Sequence, residues 1–188
     1  MSTSTLRKAI FLDKDGTVLE DVPYNVDPAR MRLAPGAGAG LRLLQQAGYR
    51  LIVVTNQSGI ARGLFPEEAL VGVEARLREL LGVAAISLDS FYYCPHHPTG
   101  TVAPYARECS CRKPAPGLLF RAAQQRRIDL AHSWMVGDKP ADAEAGARAG
   151  CRVVTISGST PEIGSRTTTD LAAAAELILS LTRSHGLS

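Results

Sequence analysis

The chain has 188 residues, a net charge of +3, 45% apolar residues and 21% charged residues. That is enough chain to bury a core as one domain spanning 1–188. The charge is too small and scattered, and aromatics at 5% too few, for a nucleic-acid surface. No apolar run reaches the roughly eighteen residues needed to cross a bilayer, so no membrane attachment is expected. Residues 1–8 lead straight into an apolar run, without a separate apolar core and a small-residue cleavage site. No secretory signal is read there, and a cytoplasmic location is expected.

In chain order, short apolar runs alternate with segments of helical spacing. A strand-like run at 9–13 is followed by a helix at 38–47, where Leu41, Leu43 and Leu44 precede Gly48. A second strand at 51–56 precedes a helix at 66–81, which opens on Pro66-Glu67-Glu68 and stops at Gly82. Strands at 90–94, 133–138 and 152–157 alternate with helices at 115–127 and 141–149, the latter closed by Gly150. Residues 158–170 read as a loop and 171–182 as a last helix, with the final six residues frayed. Strands that are continuously apolar and alternate with helices imply an α/β fold, a parallel sheet covered on both faces. No internal repeat is present.

Three strands end in polar residues: Asp13, Thr55-Asn56 and Gly137-Asp138. Ligands of an open parallel sheet bind beyond the carboxyl ends of its strands, so these clusters should meet. Asp13 and Asp15 flank Lys14 and precede Gly16-Thr17. Two anions held together need a cation or a proton between them, and a hard divalent ion with Asp138 as a third oxygen donor suits them. Magnesium keeps waters and takes its other ligands from substrate phosphate, which points to phosphate chemistry. The small hydrogen-bonding run Thr55-Asn56-Gln57-Ser58-Gly59 can cradle phosphate oxygens; alone it would be an ordinary turn. Lys113 precedes Pro114 just ahead of a helix start, a place that favours anions, and Arg112 beside it is a bidentate phosphate reader.

Four cysteines remain. Cys94-Pro95-His96 and Cys109-Ser110-Cys111 are matched pairs, each with one residue between the ligands. Four such donors suit tetrahedral zinc in a structural role, over a loop at about 94–111. His97 competes with His96, which is preferred because its spacing mirrors the other pair. Zinc would help to place Lys113, two residues beyond Cys111. Cys151 reads as a small buried hydrophobe, and His132 and His185 as incidental.

Taken together, Asp13-x-Asp15-Gly16-Thr17, Thr55-Asn56, Lys113 and Gly137-Asp138-x-x-x-Asp142 resemble the haloacid dehalogenase-like phosphatases, in the family's order over residues 9–142. The resemblance implies a Rossmann-like, doubly wound sheet with Asp13 on the central strand. It implies that Asp13 is the nucleophile and Asp15 the general acid and base, and that Thr55 and Lys113 stabilise the phosphoryl oxygens. Magnesium would be held by Asp13, Asp138 and the Asp15 backbone carbonyl. Asp142 would orient the Lys113 or Asp138 region rather than bind metal.

The cysteine loop narrows the resemblance, over residues 7–157, to members acting on sugar bisphosphates. It implies substrate contacts from Lys14, Asp21, Val22, Pro23, Tyr24, Asn56, Gln57, Ser58, Arg112 and Lys139. The stretch between Asn56 and Ser90 has no room for a large cap, so an open, capless site is expected, and the resemblance to capless relatives implies a monomer. The tail after Ser159 matches no motif. The nearest rival reading is a phosphatase of histidinol phosphate. A zinc-containing nucleic-acid module has only the cysteine loop in its favour, and a catalytically dead scaffold is opposed by the complete residue set.

Overall fold

A computed structural model describes residues 6–157 and 166–184. Residues 185–188 of the six-residue end expected to fray, most of the loop expected at 158–170, and His185 lie outside these residues. The strands are β1 (Ala9–Leu12), β2 (Arg50–Asn56), β3 (Ser90–Cys94), β4 (Trp134–Gly137), β5 (Arg152–Ile156) and β6 (Thr167–Thr168). They form one sheet in the order β3-β2-β1-β4-β5-β6, and every pairing is parallel. The helices are α1 (Ala37–Gln46), α2 (Ala69–Val83), α3 (Gly117–Arg126), α4 (Pro140–Arg148) and α5 (Leu171–Ser184).

Alternation along each strand explains why both faces are covered. In β1, Ile10 and Leu12 join one core cluster, whereas Ala9 and Phe11 join the other. The β2 side chains divide in the same way, Leu51 and Val53 to the first cluster and Ile52 and Val54 to the second. The first face is closed by Leu41 and Leu44 of α1, Val73 and Leu77 of α2 and Ile178 of α5. The second is closed by Leu118, Leu119 and Ala122 of α3 and Ala145 of α4. A central strand of four fully buried apolar residues is stable only between two helical layers, because Ile10, Phe11 and Leu12 each gain about 1.5–3 kcal/mol by leaving water.

The chain leaves β1 for β2 and β3 on one side, then crosses to β4 on the other. Strand order therefore reverses between β1 and β4, and Asp13 and Asp138 sit just past those two carboxyl ends. This is the crevice where an open α/β sheet takes its ligand.

Two expectations need correction. The segment read as loop contains β6, where Thr167 and Thr168 pair with Thr155 and Ile156. A two-residue strand carries no hydrophobic pattern, and only the edge of β5 defines it. The final helix runs to Ser184, into the stretch expected to fray. A 3-10 turn at Pro28–Arg30, capped by the Asp27 side chain on the Ala29 N–H, was also not anticipated. Among the described residues no helix is long and apolar enough to cross a membrane.

Candidate active site

The site begins where β1 ends. The Asp13 N–H donates to the Val136 carbonyl at 3.0 Å, extending the sheet pairing by one residue and fixing the Asp13 backbone. Lys113 reaches it from the far end of the cysteine loop. Its Nζ lies 2.6 Å from Asp13 Oδ1 and 2.6 Å from Asp142 Oδ1, and donates to the Val54 carbonyl at 2.8 Å. Lys113 is 3% exposed and Asp142 2%. Burial works against the Lys113 charge, but the carboxylates of Asp13 and Asp142 outweigh it and hold the ammonium above its ordinary pKa. A buried cation is tolerated only with such partners.

Asn56 sets the position of that lysine. Its Oδ1 accepts the Lys113 N–H at 3.0 Å, and its Nδ2 donates to the Lys113 carbonyl at 3.0 Å. One side chain at the end of β2 thus grips both backbone groups of a residue distant in sequence. Asp142, in the first turn of α4, accepts the Lys139 N–H at 3.1 Å. Beside Asp13, Gln57 Nε2 donates to Thr55 Oγ1 at 3.0 Å and lies 3.4 Å from Asp15 Oδ2. Lys14 Nζ is 2.6 Å from Asp15 Oδ1. Burial raises the Asp15 pKa, with the Lys14 charge pulling the other way.

Carboxylate oxygens of Asp13, Asp138 and Asp142 all lie within 4.8 Å of one another. Asp138 Oδ1 and Thr17 Oγ1 are buried without a hydrogen-bond partner. Burial raises the Asp138 pKa, and the nearby Asp13 charge adds to this against the opposing pull of Lys139. An orphaned carboxylate oxygen facing other carboxylates suits a hard divalent cation. Gly16 makes room for it: its φ is +78°, and a Cβ there would lie 2.5 Å from Asp138 Oδ2. The Asp15 carboxylate is not in this group and turns instead to Lys14.

Asp13 and Asp142 of this group also line an open cavity of about 430 Å³. Asp13, Asp15, Thr55 and Lys113 all face it, with Asp21, Pro23, Tyr24, Asn56, Gln57, Ser58, Arg112 and Lys139 around them. Of the expected substrate contacts, Lys14 and Val22 are not on the lining; Lys14 is 2% exposed beneath Asp15. Gly59, the end of the small hydrogen-bonding run after β2, lines the cavity too, and Asn25 and Ala141 line it without having been singled out from sequence. Asn25 follows Tyr24 in a turn closed by its N–H on the Val22 carbonyl at 3.1 Å. Tyr24 itself takes a positive φ of 53°, rare for a bulky residue. Lys139 Nζ lies 3.4 Å from Asp138 Oδ2 and 3.7 Å from Asp21 Oδ2, joining the two rims.

The cysteine loop closes on itself as the matched pairs suggest. The Sγ atoms of Cys94, Cys109 and Cys111 lie 3.2 to 3.5 Å apart. His96 Nδ1 is 3.7 Å from Cys94 Sγ and 3.4 Å from Cys111 Sγ. A tetrahedron with metal–sulfur bonds of about 2.3 Å has edges near 3.8 Å, so the four donors fit one ion. All four cysteines are unbridged. His97 turns away from the cluster, toward Thr99 and Arg62. Glu67, just ahead of α2, braces β3 and the loop, accepting the Tyr93 hydroxyl at 2.8 Å and the Tyr105 hydroxyl at 2.6 Å. No spacing rule in the sequence reveals that brace. Cys151 is buried in the second core cluster, and its thiol is pushed up to about 12 by burial.

Fold and site define a phosphatase built on an α/β sheet, with carboxylates and the buried Lys113 meeting at the switch point. Residues 110–175 match the HAD-hydrolase-like family profile. The chain is 43% identical over 152 residues to a D-glycero-beta-D-manno-heptose-1,7-bisphosphate 7-phosphatase of Yersinia pestis, covering 80% of this chain and 81% of that protein. It is 42% identical over 158 residues to the enzyme of that name from Escherichia coli K12, covering 82% and 83%. The D,D-heptose 1,7-bisphosphate phosphatase from B. bronchiseptica, solved with magnesium and phosphate, superposes with a TM-score of 0.78 at 33% identity, over 93% of this chain and 99% of that one. A putative HAD-like phosphatase from Mesorhizobium loti superposes with a TM-score of 0.85 at 35% identity, over 95% and 87%. The chain belongs to the haloacid dehalogenase-like phosphatases, and within them to the family of the heptose-bisphosphate 7-phosphatases.

Proposed function

We propose that the chain removes the 7-phosphate of D-glycero-β-D-manno-heptose 1,7-bisphosphate through an aspartyl-phosphate, a step toward nucleotide-activated heptose. The observation that carries the reaction is the placement of Lys113 against Asp13, with Asp15 and Thr55 on the same cavity wall. The high identity to enzymes of that name over four-fifths of the chain supports the substrate.

Asp13 attacks phosphorus, forming the acyl-phosphate bond as the bond from phosphorus to the sugar oxygen breaks. Asp15 gives its proton to that departing oxygen, then takes one from the water that attacks phosphorus, as the bond from phosphorus to Asp13 breaks and inorganic phosphate leaves. The raised pKa of Asp15 favours the protonated form needed first. Thr55 and Lys113 offer donors to the equatorial oxygens, where charge must be held in place. Asp142 keeps the Lys113 ammonium on that line, and Asn56 keeps its backbone there.

Magnesium would be held by Asp13 and Asp138, whose carboxylate oxygens lie together with that of Asp142, and by the Asp15 carbonyl as the family resemblance implies, and would supply charge neutralisation at the phosphate. Zinc fits Cys94, His96, Cys109 and Cys111 as a clip that orders the loop before Arg112 and Lys113. The domain acts as a capless unit on a small molecule, in the cytoplasm and as a monomer.

The test is phosphate release from heptose 1,7-bisphosphate and from histidinol phosphate with added magnesium. A higher kcat/KM for the bisphosphate supports the reading, and a clear preference for histidinol phosphate overturns it.

A further inference from the structure

Lys14 is a buried cation outside the substrate cavity. It is 2% exposed, is absent from the cavity lining, and among the described residues its one ion pair is with Asp15, Nζ to Oδ1 at 2.6 Å. Taking an ammonium out of water costs free energy, which its partner must offset. Here that partner is the proton donor of the reaction. The Lys14 backbone is pinned as well: its carbonyl accepts the Val18 N–H at 3.1 Å and the Leu19 N–H at 2.9 Å. The ammonium therefore meets Asp15 from a fixed turn.

The other oxygen of Asp15 is held from the end of β2. Gln57 is buried there, and its N–H donates to the Cys94 carbonyl of β3 at 2.8 Å. Its Nε2 donates to Thr55 Oγ1 at 3.0 Å and lies 3.4 Å from Asp15 Oδ2. An amide nitrogen carries two protons, enough for both contacts. Thr55 Oγ1 accepts one of them, which leaves its own hydroxyl proton for a phosphoryl oxygen. The two Asp15 oxygens are thus unlike. Oδ1 is closed by the short, charge-assisted contact to Lys14. Oδ2, in the longer contact, keeps a lone pair for the proton that is transferred.

We propose that Lys14 and Gln57 are positioning residues for Asp15, which together hold its Oδ2 toward the oxygen that leaves phosphorus. This rests on the general-acid role given to Asp15 above. Lys14 fixes Oδ1 from beneath. Gln57 ties Oδ2 to Thr55, so one side chain aligns the proton donor with the donor to the phosphoryl oxygens. Both residues act through Asp15. A general acid is effective only within hydrogen-bond reach of the departing oxygen, and a side chain braced on both oxygens is there before substrate arrives.

The experiment measures kcat/KM, with added magnesium, on aryl phosphates of similar shape and graded leaving ability, from p-nitrophenyl to p-methoxyphenyl phosphate. A nitrophenolate departs without a proton, whereas the more basic phenolates need one. Lys14→Met keeps the aliphatic stem and removes the charge; Gln57→Met keeps the bulk and removes the donor. In each, kcat/KM should change about twofold or less on p-nitrophenyl phosphate and fall about 10- to 100-fold on p-methoxyphenyl phosphate, a part of what a general acid supplies. The plot of log kcat/KM against leaving-group pKa should steepen toward that of Asp15→Asn. A purely structural role, or a disturbed Thr55, lowers the whole series by one factor and leaves the slope alone.

An unchanged slope in either variant, beside a steepened slope in Asp15→Asn, overturns the role of that residue and leaves the proposed function standing. A wild-type slope as steep as that of Asp15→Asn removes Asp15 as general acid, and the positioning role with it. Where circular dichroism shows that Lys14→Met does not fold, Gln57→Met decides alone.

Discussion

Lys113 Nζ bridges Asp13 Oδ1 and Asp142 Oδ1, 2.6 Å from each, and all three side chains are almost wholly buried. The relationship ties catalysis to stability. Lys113→Met removes the cation between two buried carboxylates, and breaking such a pair costs about 3–5 kcal/mol. The variant should melt at lower temperature, and kcat should fall by roughly 10²- to 10³-fold where the folded form is assayed. Thermal unfolding with phosphate-release kinetics checks this; a variant with wild-type kcat would contradict the role of Lys113.

Asp13→Asn should separate the two effects. The amide keeps the shape and still meets Lys113, which retains Asp142. Turnover should drop by about 10⁴-fold or more, the scale for removing a nucleophile. Circular dichroism and the melting temperature should stay close to wild type. In Asp13→Asn no acyl-phosphate should be trapped by acid quench.

Gly16→Ala probes the divalent site without touching a carboxylate. The added Cβ would press on Asp138 at a position whose φ of +78° already disfavours a side chain. The strain costs about 1–2 kcal/mol. The magnesium concentration giving half-maximal rate should rise by about tenfold, while the zinc content is unchanged. An unaltered magnesium titration would argue against Asp138 as a metal donor.

Stripping the cysteine cluster should act on the distant lysine. Cys111 stands two residues before Lys113, so loss of the clip frees the approach of its backbone. A zinc chelator should lower kcat by about 10- to 100-fold, the scale for displacing a group by about 1 Å. Magnesium alone should not restore it, and zinc should.

The thiols themselves report on the same cluster. Burial pushes the Cys151 thiol up to about 12, so at pH 8 only about one molecule in 10⁴ carries its thiolate. Burial also works against the Cys109 thiolate, but hydrogen bonds from Cys111 and Cys94 outweigh it and lower its pKa. After chelation at pH 8, an alkylating reagent should label Cys109 first, and Cys151 only on unfolding. Raising the pH increases the thiolate of both, but Cys151 lags until the pH nears its raised pKa. Mass mapping of the adducts decides the order.

Much of the site was legible because its chemistry is local in sequence. Asp13-Lys14-Asp15-Gly16-Thr17, Cys94-Pro95-His96 and Cys109-Ser110-Cys111 each carry their meaning within a few residues. The five longer strands were legible because each is a buried apolar run. The two-residue β6 was not, because its pairing with Thr155 and Ile156 leaves no imprint on its own composition. Nor was the grip of Asn56 on Lys113, since a side-chain-to-backbone bond across the fold has no periodicity.

The sequence by itself determined the order of alternating strands and helices, the carboxylates at the strand ends and the two pairs of soft metal donors. Those follow from burial and from the intrinsic chemistry of the side chains. Only the tertiary structure decided which groups meet: Lys113 between Asp13 and Asp142, Asp15 against Lys14, Glu67 beneath Tyr93 and Tyr105, and Arg62 against His97. The reversal of strand order between β1 and β4 opens the crevice, and side-chain reach across it depends on distances that only packing fixes.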